Sequence, residues 1–329
     1  MRFVVLGAGA VGGVIGARLA QHGHDVVLIA RGQHYQAIRD KGLQIESPDE
    51  TVALPIPVVD HPAAVAWTAE GVILLATKTQ DTEAALDSLA AAAPPALPIF
   101  CAQNGVANER MAAERFAGVY GVFVWCPADY LTAGSVKVWC SPRSGILHLG
   151  CYPSGSNPLA ESVAGAFRAS TFYAEAKPDI MRWKYRKLLS NLGNAVDALC
   201  GTAARGSGLA QRARREGMAC LDAAGISPVG DDEEDAARLE REVHPRTIGG
   251  VERRGGSSWQ SLERRLGTIE TDYLNGEIVR LGQQVGVPTP VNALLQYLSQ
   301  RVARERRPPG SVNPDKILIA LDLRQDPLQ

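Results

Sequence analysis

The chain has 329 residues with a formal net charge of −1, 46% hydrophobic and 21% charged residues, a length that favours two domains over one core. Near-neutral charge gives no electrostatic case for a nucleic-acid or anionic-membrane partner, so the arginines at Arg253-Arg254 and from Arg301 to Arg307 read as solvated helix faces. Cys101, Cys126, Cys140, Cys151, Cys200 and Cys220 lack C-x-x-C and metal-ligand spacing, and no apolar stretch reaches spanning length; these features predict reduced thiols, no metal site, no membrane segment and a cytoplasmic protein.

The first predicted element is an apolar strand, Phe3 to Leu6, which runs directly into Gly7, Gly9 and Gly12 in a G-x-G-x-x-G pattern. A helix follows from Ala10 to Gln21 and ends at Gly23. In such a strand–glycine–helix unit the first glycine permits a tight turn. The second lets the backbone approach a pyrophosphate, and the third lets the helix pack close to the strand. Ala10 and Val11 lie between the glycines at the helix start, where free amides favour phosphate. A second strand at βαβ spacing, Asp25 to Ala30, completes a dinucleotide-binding unit.

An acid about 20 residues past the glycines is the usual partner of the NAD ribose. Here no Asp or Glu occurs from Val26 to Arg39, and the strand runs into Arg31. A guanidinium there suits a 2′-phosphate, which predicts NADP(H); a solvated loop arginine is the plainer alternative. Further along come a buried strand, Gly71 to Ala76, a helix from about Asp81 to Ala93, a strand from Pro98 to Cys101, the turn Gln103-Asn104-Gly105 and a helix from Val106 to Phe116. Strand-like segments at Val119–Cys126, Ser135–Trp139, Gly145–Gly150 and Thr171–Ala174 predict that the sheet continues in mixed or antiparallel form.

Beyond Lys177-Pro178 nearly every segment has helical period: Asp179–Leu199, Leu209–Ala224, Asp231–Val243, Ser258–Arg265, Thr268–Val285 and Val291–Arg304. The apolar run Ile317 to Leu321 reads as packed. The predicted fold is α/β: a Rossmann-type doubly wound domain over residues 1–175, and an all-helical substrate-binding domain over 176–329.

Carbonyl reduction needs a hydride donor and a group that protonates the developing alkoxide. Lys187 is the candidate. On a continuous helix at 100° per residue, Asn191 falls about 40° to one side of it and Asn194 about 20° to the other. The same stretch carries Arg182, Lys184 and Arg186, so it also reads as an ordinary basic helix. A second cluster, Ser257-Ser258 with Glu270 and Asp272 downstream, could bind an anion and a hydroxyl, or could be no more than an N-cap and a first-turn acid.

These motifs together resemble the ketopantoate reductase family over nearly the whole chain. The family's opening glycines match Gly7, Gly9 and Gly12, its arginine after the second strand matches Arg31, and its K-x-x-Q lysine matches Lys78, with Gln80 one position early. The resemblance implies that Lys78 lies near the NADP phosphate and Asn104 beside the nicotinamide. The family's K-L-x-x-N matches Lys187 to Asn191, which implies that Lys187 is the general acid and Asn191 a substrate ligand. Its S-S pair and E-x-D-x-x-N-G match Ser257-Ser258 and Glu270 to Gly276, implying that Ser258 contacts the substrate carboxylate and Glu270 the substrate hydroxyl.

Two positions depart from the family pattern. Ala195 stands where a second asparagine is usual, with Asn194 one residue earlier as a substitute, and Trp259-Gln-Ser-Leu262 replaces M-x-Q-D, which places an indole near the expected substrate region. The implied activity is NADPH-dependent reduction of a 2-oxo acid, ketopantoate first. A bulkier 2-oxo acid and a non-catalytic NADP(H)-binding sensor are the alternatives. A homodimer is a family-level expectation.

Overall fold

Strand β1, Arg2–Leu6, carries four consecutive buried side chains and therefore occupies the middle of a sheet covered on both faces. In the computed structural model, which describes residues 1–232 and 243–323, it is followed by α1 (Ala10–Gln21), β2 (Asp25–Ile29) and α2 (Gly32–Lys41). The short strands β3 (Leu43–Glu46), β4 (Thr51–Leu54) and β5 (Val58–Val59) come next. Then follow β6 (Gly71–Leu75), α3 (Thr82–Ala90), β7 (Ile99–Cys101), α4 (Asn108–Ala113) and β8 (Val119–Trp125). The segment continues through β9 (Ala128–Thr132), β10 (Ser135–Val138), β11 (Cys140–Pro142), β12 (Gly145–Cys151), α5 (Pro158–Ala169) and β13 (Phe172–Tyr173).

Among the described residues eight strands form the main sheet, in the order β13-β12-β8-β7-β6-β1-β2-β5. All its pairs are parallel except β8 with β12. Strand β1 lies between β2 and β6, so the chain crosses to opposite sides of it. That is the topological switch point, where α/β sheets bind ligands beyond the strand C-termini. A smaller sheet, β4-β3-β10-β9, packs on α1, whose Gly13 has a side-chain methyl of Val136 where a Cβ would stand, 2.7 Å away.

The chain divides into two compact units, Met1–Lys184 with Val229–Arg253, and Tyr185–Pro228 with the chain from Arg254 on. The first unit thus extends past the expected boundary near residue 175 and recovers a later segment. Packing explains this: Val229 and Val243 join Phe123, Cys140, Ile146, Ile180 and Trp183 in one buried cluster, and β14 (Val243–Pro245) pairs with β11. The helix expected over 231–243 falls mostly outside the described residues; Asp231 and Asp232 are helical, and Val243 is strand.

The second unit is helical: the end of α6 (Ile180–Asn191), α7 (Asn194–Cys200), α8 (Gly208–Ala223), α9 (Ser257–Glu263), α10 (Asn275–Val285), α11 (Pro290–Arg304) and α12 (Pro314–Leu323). Two expectations are corrected here. The helix predicted over Asp179–Leu199 is broken at Leu192-Gly193, and the one over Thr268–Val285 is a 3-10 turn, Glu270–Tyr273, followed after Leu274 by α10. A buried polar network holds the second break in place. Asn275 donates to Leu192 O at 3.2 Å and to Asn292 Oδ1 at 3.0 Å, while the Glu216 carboxylate accepts the Val291 and Asn292 amides at the start of α11, each at 2.9 Å. The predicted packing of the tail holds, with Ile317 and Ala320 buried.

Candidate active site

The glycines of the first unit separate by role as elementary sterics requires. Gly7 has φ +100°, and a Cβ there would lie 2.8 Å from the Thr77 amide nitrogen beyond β6, so only glycine makes this turn. At Gly12 a Cβ would lie 2.1 Å from Gly7 O, which sets the close approach of α1 to β1. Gly9 differs: the nearest atom to a Cβ there is Tyr130 Cδ1 at 3.9 Å, so the protein leaves this backbone open.

Helix α1 has no side-chain cap and no acid in its first turn, so the amides beside Ala10 and Val11 remain available to an anion. Arg31, two residues past β2, caps α2 by its backbone; its guanidinium is exposed and bonds to no side chain among the described residues. Lys78 is half-buried just past β6, at the start of the turn Thr79–Asp81. These features fit a dinucleotide: a glycine cradle that a Cβ would fill, an uncapped helix start and a cation beyond the second strand.

Asn104 follows β7 and is half-buried, and residues that sequence reasoning passed over hold its turn. Asn108 donates to Asn104 O at 3.0 Å and accepts from Thr82 Oγ1 at 2.9 Å, and Gln103 donates to Thr82 Oγ1 at 2.8 Å and to Thr77 O at 3.0 Å. Beneath them Lys184 Nζ lies 2.5 Å from Glu109 Oε1, with the two side chains 2% and 0% exposed. Burial pushes the Glu109 carboxyl up, against the opposing pull of Lys184.

In the second unit Lys187 is half-buried on α6, and Asn191, Asn194, Ser258 and Glu270 are all buried. The single stripe expected of Lys187, Asn191 and Asn194 on one helix is corrected by the break at Leu192-Gly193. Asn194 nevertheless reaches back across it and donates to Asn191 Oδ1 at 3.4 Å. Glu270 opens a 3-10 turn that Gln300 holds by donating to Ile269 O at 3.1 Å.

Ser258 lies in the first turn of α9, which packs on α7. Asp197, fully buried on α7, accepts the Gly256 amide at 2.8 Å and so fixes the entry to that turn. Asn191 Nδ2, Ser258 Oγ and Asp197 Oδ1 are buried with no hydrogen-bond partner among the described residues. Unpaired buried polar atoms are costly, and pairing with a bound ligand is one way in which such a cost is recovered. A carboxylate alone in the run Ala195-Val-Asp-Ala-Leu199 was the sequence signal for Asp197. Trp259, expected near the substrate, folds back on its own loop: its side chain occupies the space beside Gly255, where a Cβ would lie 2.3 Å from the ring.

The model of "Ketopantoate reductase PanE/ApbA" matches residues 3–153, and that of its C-terminal part matches residues 179–303. The chain belongs to the ketopantoate reductase family. It is 30% identical to 2-dehydropantoate 2-reductase of Archaeoglobus fulgidus, with 92% of this chain and 97% of that protein covered. To the enzyme of the same name from Pyrococcus horikoshii it is 28% identical, with 91% and 96% covered. Among solved structures, a PanE/ApbA family ketopantoate reductase from Ralstonia eutropha JMP134 superposes with TM-score 0.77 at 28% identity, covering 93% of this chain and 99% of that one. D-mandelate dehydrogenase, solved with NADH and anilino(oxo)acetate, superposes with TM-score 0.78 at 25% identity and the same coverage.

The expected α/β fold, a Rossmann-type sheet domain joined to a helical domain, is therefore the fold of this family. The chain is an NAD(P)-dependent oxidoreductase of the ketopantoate reductase family. No helix among the described residues is long and apolar enough to cross a membrane.

Proposed function

We propose that this chain reduces a 2-oxo acid to the 2-hydroxy acid with NADPH, ketopantoate being the first substrate. The observation that carries the reading is the buried polar set Asn191 Nδ2 and Ser258 Oγ, unpartnered among the described residues and located at the family's motif positions. NADPH, when bound, supplies the hydride. Gly7, Gly9, Ala10, Val11 and Gly12 cradle its pyrophosphate, Arg31 and Lys78 meet its 2′-phosphate, and Asn104 stands by the nicotinamide. Lys187 gives a proton to the ketone oxygen as negative charge develops there. Ser258 binds the substrate carboxylate, Asn191 and Asn194 orient the acid, and Glu270 accepts from the substrate hydroxyl.

NADP(H) is preferred over NAD(H) because Arg31 stands where an NAD site carries an acid. A cytoplasmic location and a homodimer built on the helical unit, residues 176–329 in the sequence division, belong to the same reading. The direct test follows NADPH absorbance with a panel of 2-oxo acids, in wild type and Lys187→Ala. Turnover by wild type with NADPH binding retained in the variant supports the assignment. No turnover by wild type with any 2-oxo acid overturns it and favours a non-catalytic NADP(H)-binding sensor.

A second reading keeps the chemistry and moves the substrate to a bulkier, aromatic 2-oxo acid. Ala195 at the family's second asparagine position and the likeness to D-mandelate dehydrogenase favour it. The ratio of kcat/KM for ketopantoate to that for phenylglyoxylate, the 2-oxo acid of mandelate, separates the two.

A further inference from the structure

The most heavily buried charges of the first unit have no part in the chemistry above. Lys184 and Glu109 are 2% and 0% exposed, and a buried ion pair is weak evidence of stabilisation, since well-packed apolar residues often serve as well. What the ammonium touches suggests another purpose. Its Nζ donates to Gln103 O at 2.9 Å and, more weakly, to Cys101 O and Val122 O, each at 3.4 Å. It therefore gathers the C-terminal end of β7, the middle of β8 and the first carbonyl of the turn beyond β7. The next carbonyl, that of Asn104, accepts from Asn108 at 3.0 Å, so both peptide oxygens flanking the Asn104 residue are held from below. Gly105, at φ +80°, completes the turn.

We propose that Lys184, held by Glu109, is a positioning residue that fixes the Gln103-Asn104 turn for hydride transfer. The proposal rests on the reading of Asn104 as the residue beside the nicotinamide. Lys184 also lies one turn before Lys187 on α6, so one helix carries both the anchor and the proton donor. Glu109 pairs with the buried ammonium at 2.5 Å, and Lys184 carries the contact with the turn. Reaction rates are sensitive to displacements of about 1 Å in such turns, whereas cofactor affinity is spread over many contacts.

The test compares Lys184→Met, Glu109→Gln and the double variant in the full-length protein. Lys184→Met is expected to lower kcat about tenfold or more while KM for NADPH changes less than threefold. In the double variant, which leaves no unpaired charge, thermal stability is expected to recover while kcat stays low, because Gln103 O still lacks its donor. Recovery of kcat together with stability in the double variant would reduce the pair to a structural role and overturn the proposal. Hydrogen exchange of the amides from 102 to 106 provides a readout independent of turnover. It should be faster in Lys184→Met and in the double variant than in wild type, and equal rates would also overturn the proposal. If wild type reduces no 2-oxo acid, the proposed function fails while the exchange measurement still decides whether Lys184 holds the turn.

Discussion

At the glycine end of the first unit, binding is prepared by removing side chains; in the helical unit it is prepared by burying them. Gly7, Gly9 and Gly12 give an open backbone and an uncapped helix start, and the buried ring of His34 holds the turn between them by its bond to Ala8 O at 2.7 Å. In the helical unit Asn191, Ser258 and Asp197 hold polar atoms away from solvent without a partner among the described residues, at a desolvation cost. A backbone cradle accepts any dinucleotide, and selectivity there must come from groups added beside it, of which Arg31 and Lys78 are the proposed ones. A buried side-chain set is selective in itself, because a ligand that fails to pair it leaves the cost unrecovered.

The largest expected effect tests whether the helical unit supplies chemistry as well as selectivity. Lys187→Ala should lower kcat by about 10²–10⁴-fold, the usual contribution of a positioned general acid. Fluorescence titration with NADPH should give an unchanged affinity. A comparable loss of affinity would mean that Lys187 serves the cofactor, and the division of labour between the two ends would break down.

Arg31→Asp comes next. A charged hydrogen-bonded contact is worth about 1.5–3 kcal/mol, so the NADPH-to-NADH preference in kcat/KM should fall about ten- to a hundredfold. An unchanged preference would mean that Arg31 does not select the cofactor.

The same contrast explains what could be read from the sequence. The glycine motif, the strand before it, the helix after it and Arg31 lie within thirty-one consecutive residues, and their roles follow from local sterics. The central strands were legible for a similar reason, since β6 is a continuous apolar run. The helical unit was legible in its periodicity and not in its breaks. Leu192-Gly193 interrupts a pattern whose apolar period runs on through Leu188, Leu192, Val196 and Leu199, and the break at Leu274 depends on Asn275 reaching partners 83 and 17 residues away. Lys184 was hidden among Arg182, Arg186 and Lys187. Its burial depends on Glu109 and three carbonyls that only the folded sheet brings together.

Asp197→Ala probes the buried side-chain strategy itself. It leaves the Gly256 amide without its acceptor, so unfolding free energy should drop by about 1–3 kcal/mol in denaturant titration. Catalysis should also suffer through KM for the 2-oxo acid, because the Gly256 entry sets the turn that carries Ser258. A fall in stability with KM intact would separate Asp197 from substrate binding.

The smallest effect belongs to an ion pair of the first unit and to acid. Burial works to raise the Glu175 carboxyl, but hydrogen bonds from Lys177 and Tyr173 outweigh it and hold the group at about 2 against an ordinary 4.5. A folded-state value below the unfolded one means that the group stabilises the fold above about pH 4.5 and loses that contribution as pH falls from 4.5 towards 2. The Lys177 and Glu175 side chains are 25% and 38% exposed, and solvent screening keeps the effect modest. Thermal melts of Glu175→Gln should therefore lie slightly below wild type at pH 6 and converge with it near pH 2. A gap that does not change with pH would assign the loss to packing. The carboxylates of the helical unit would then be the place to look for acid sensitivity.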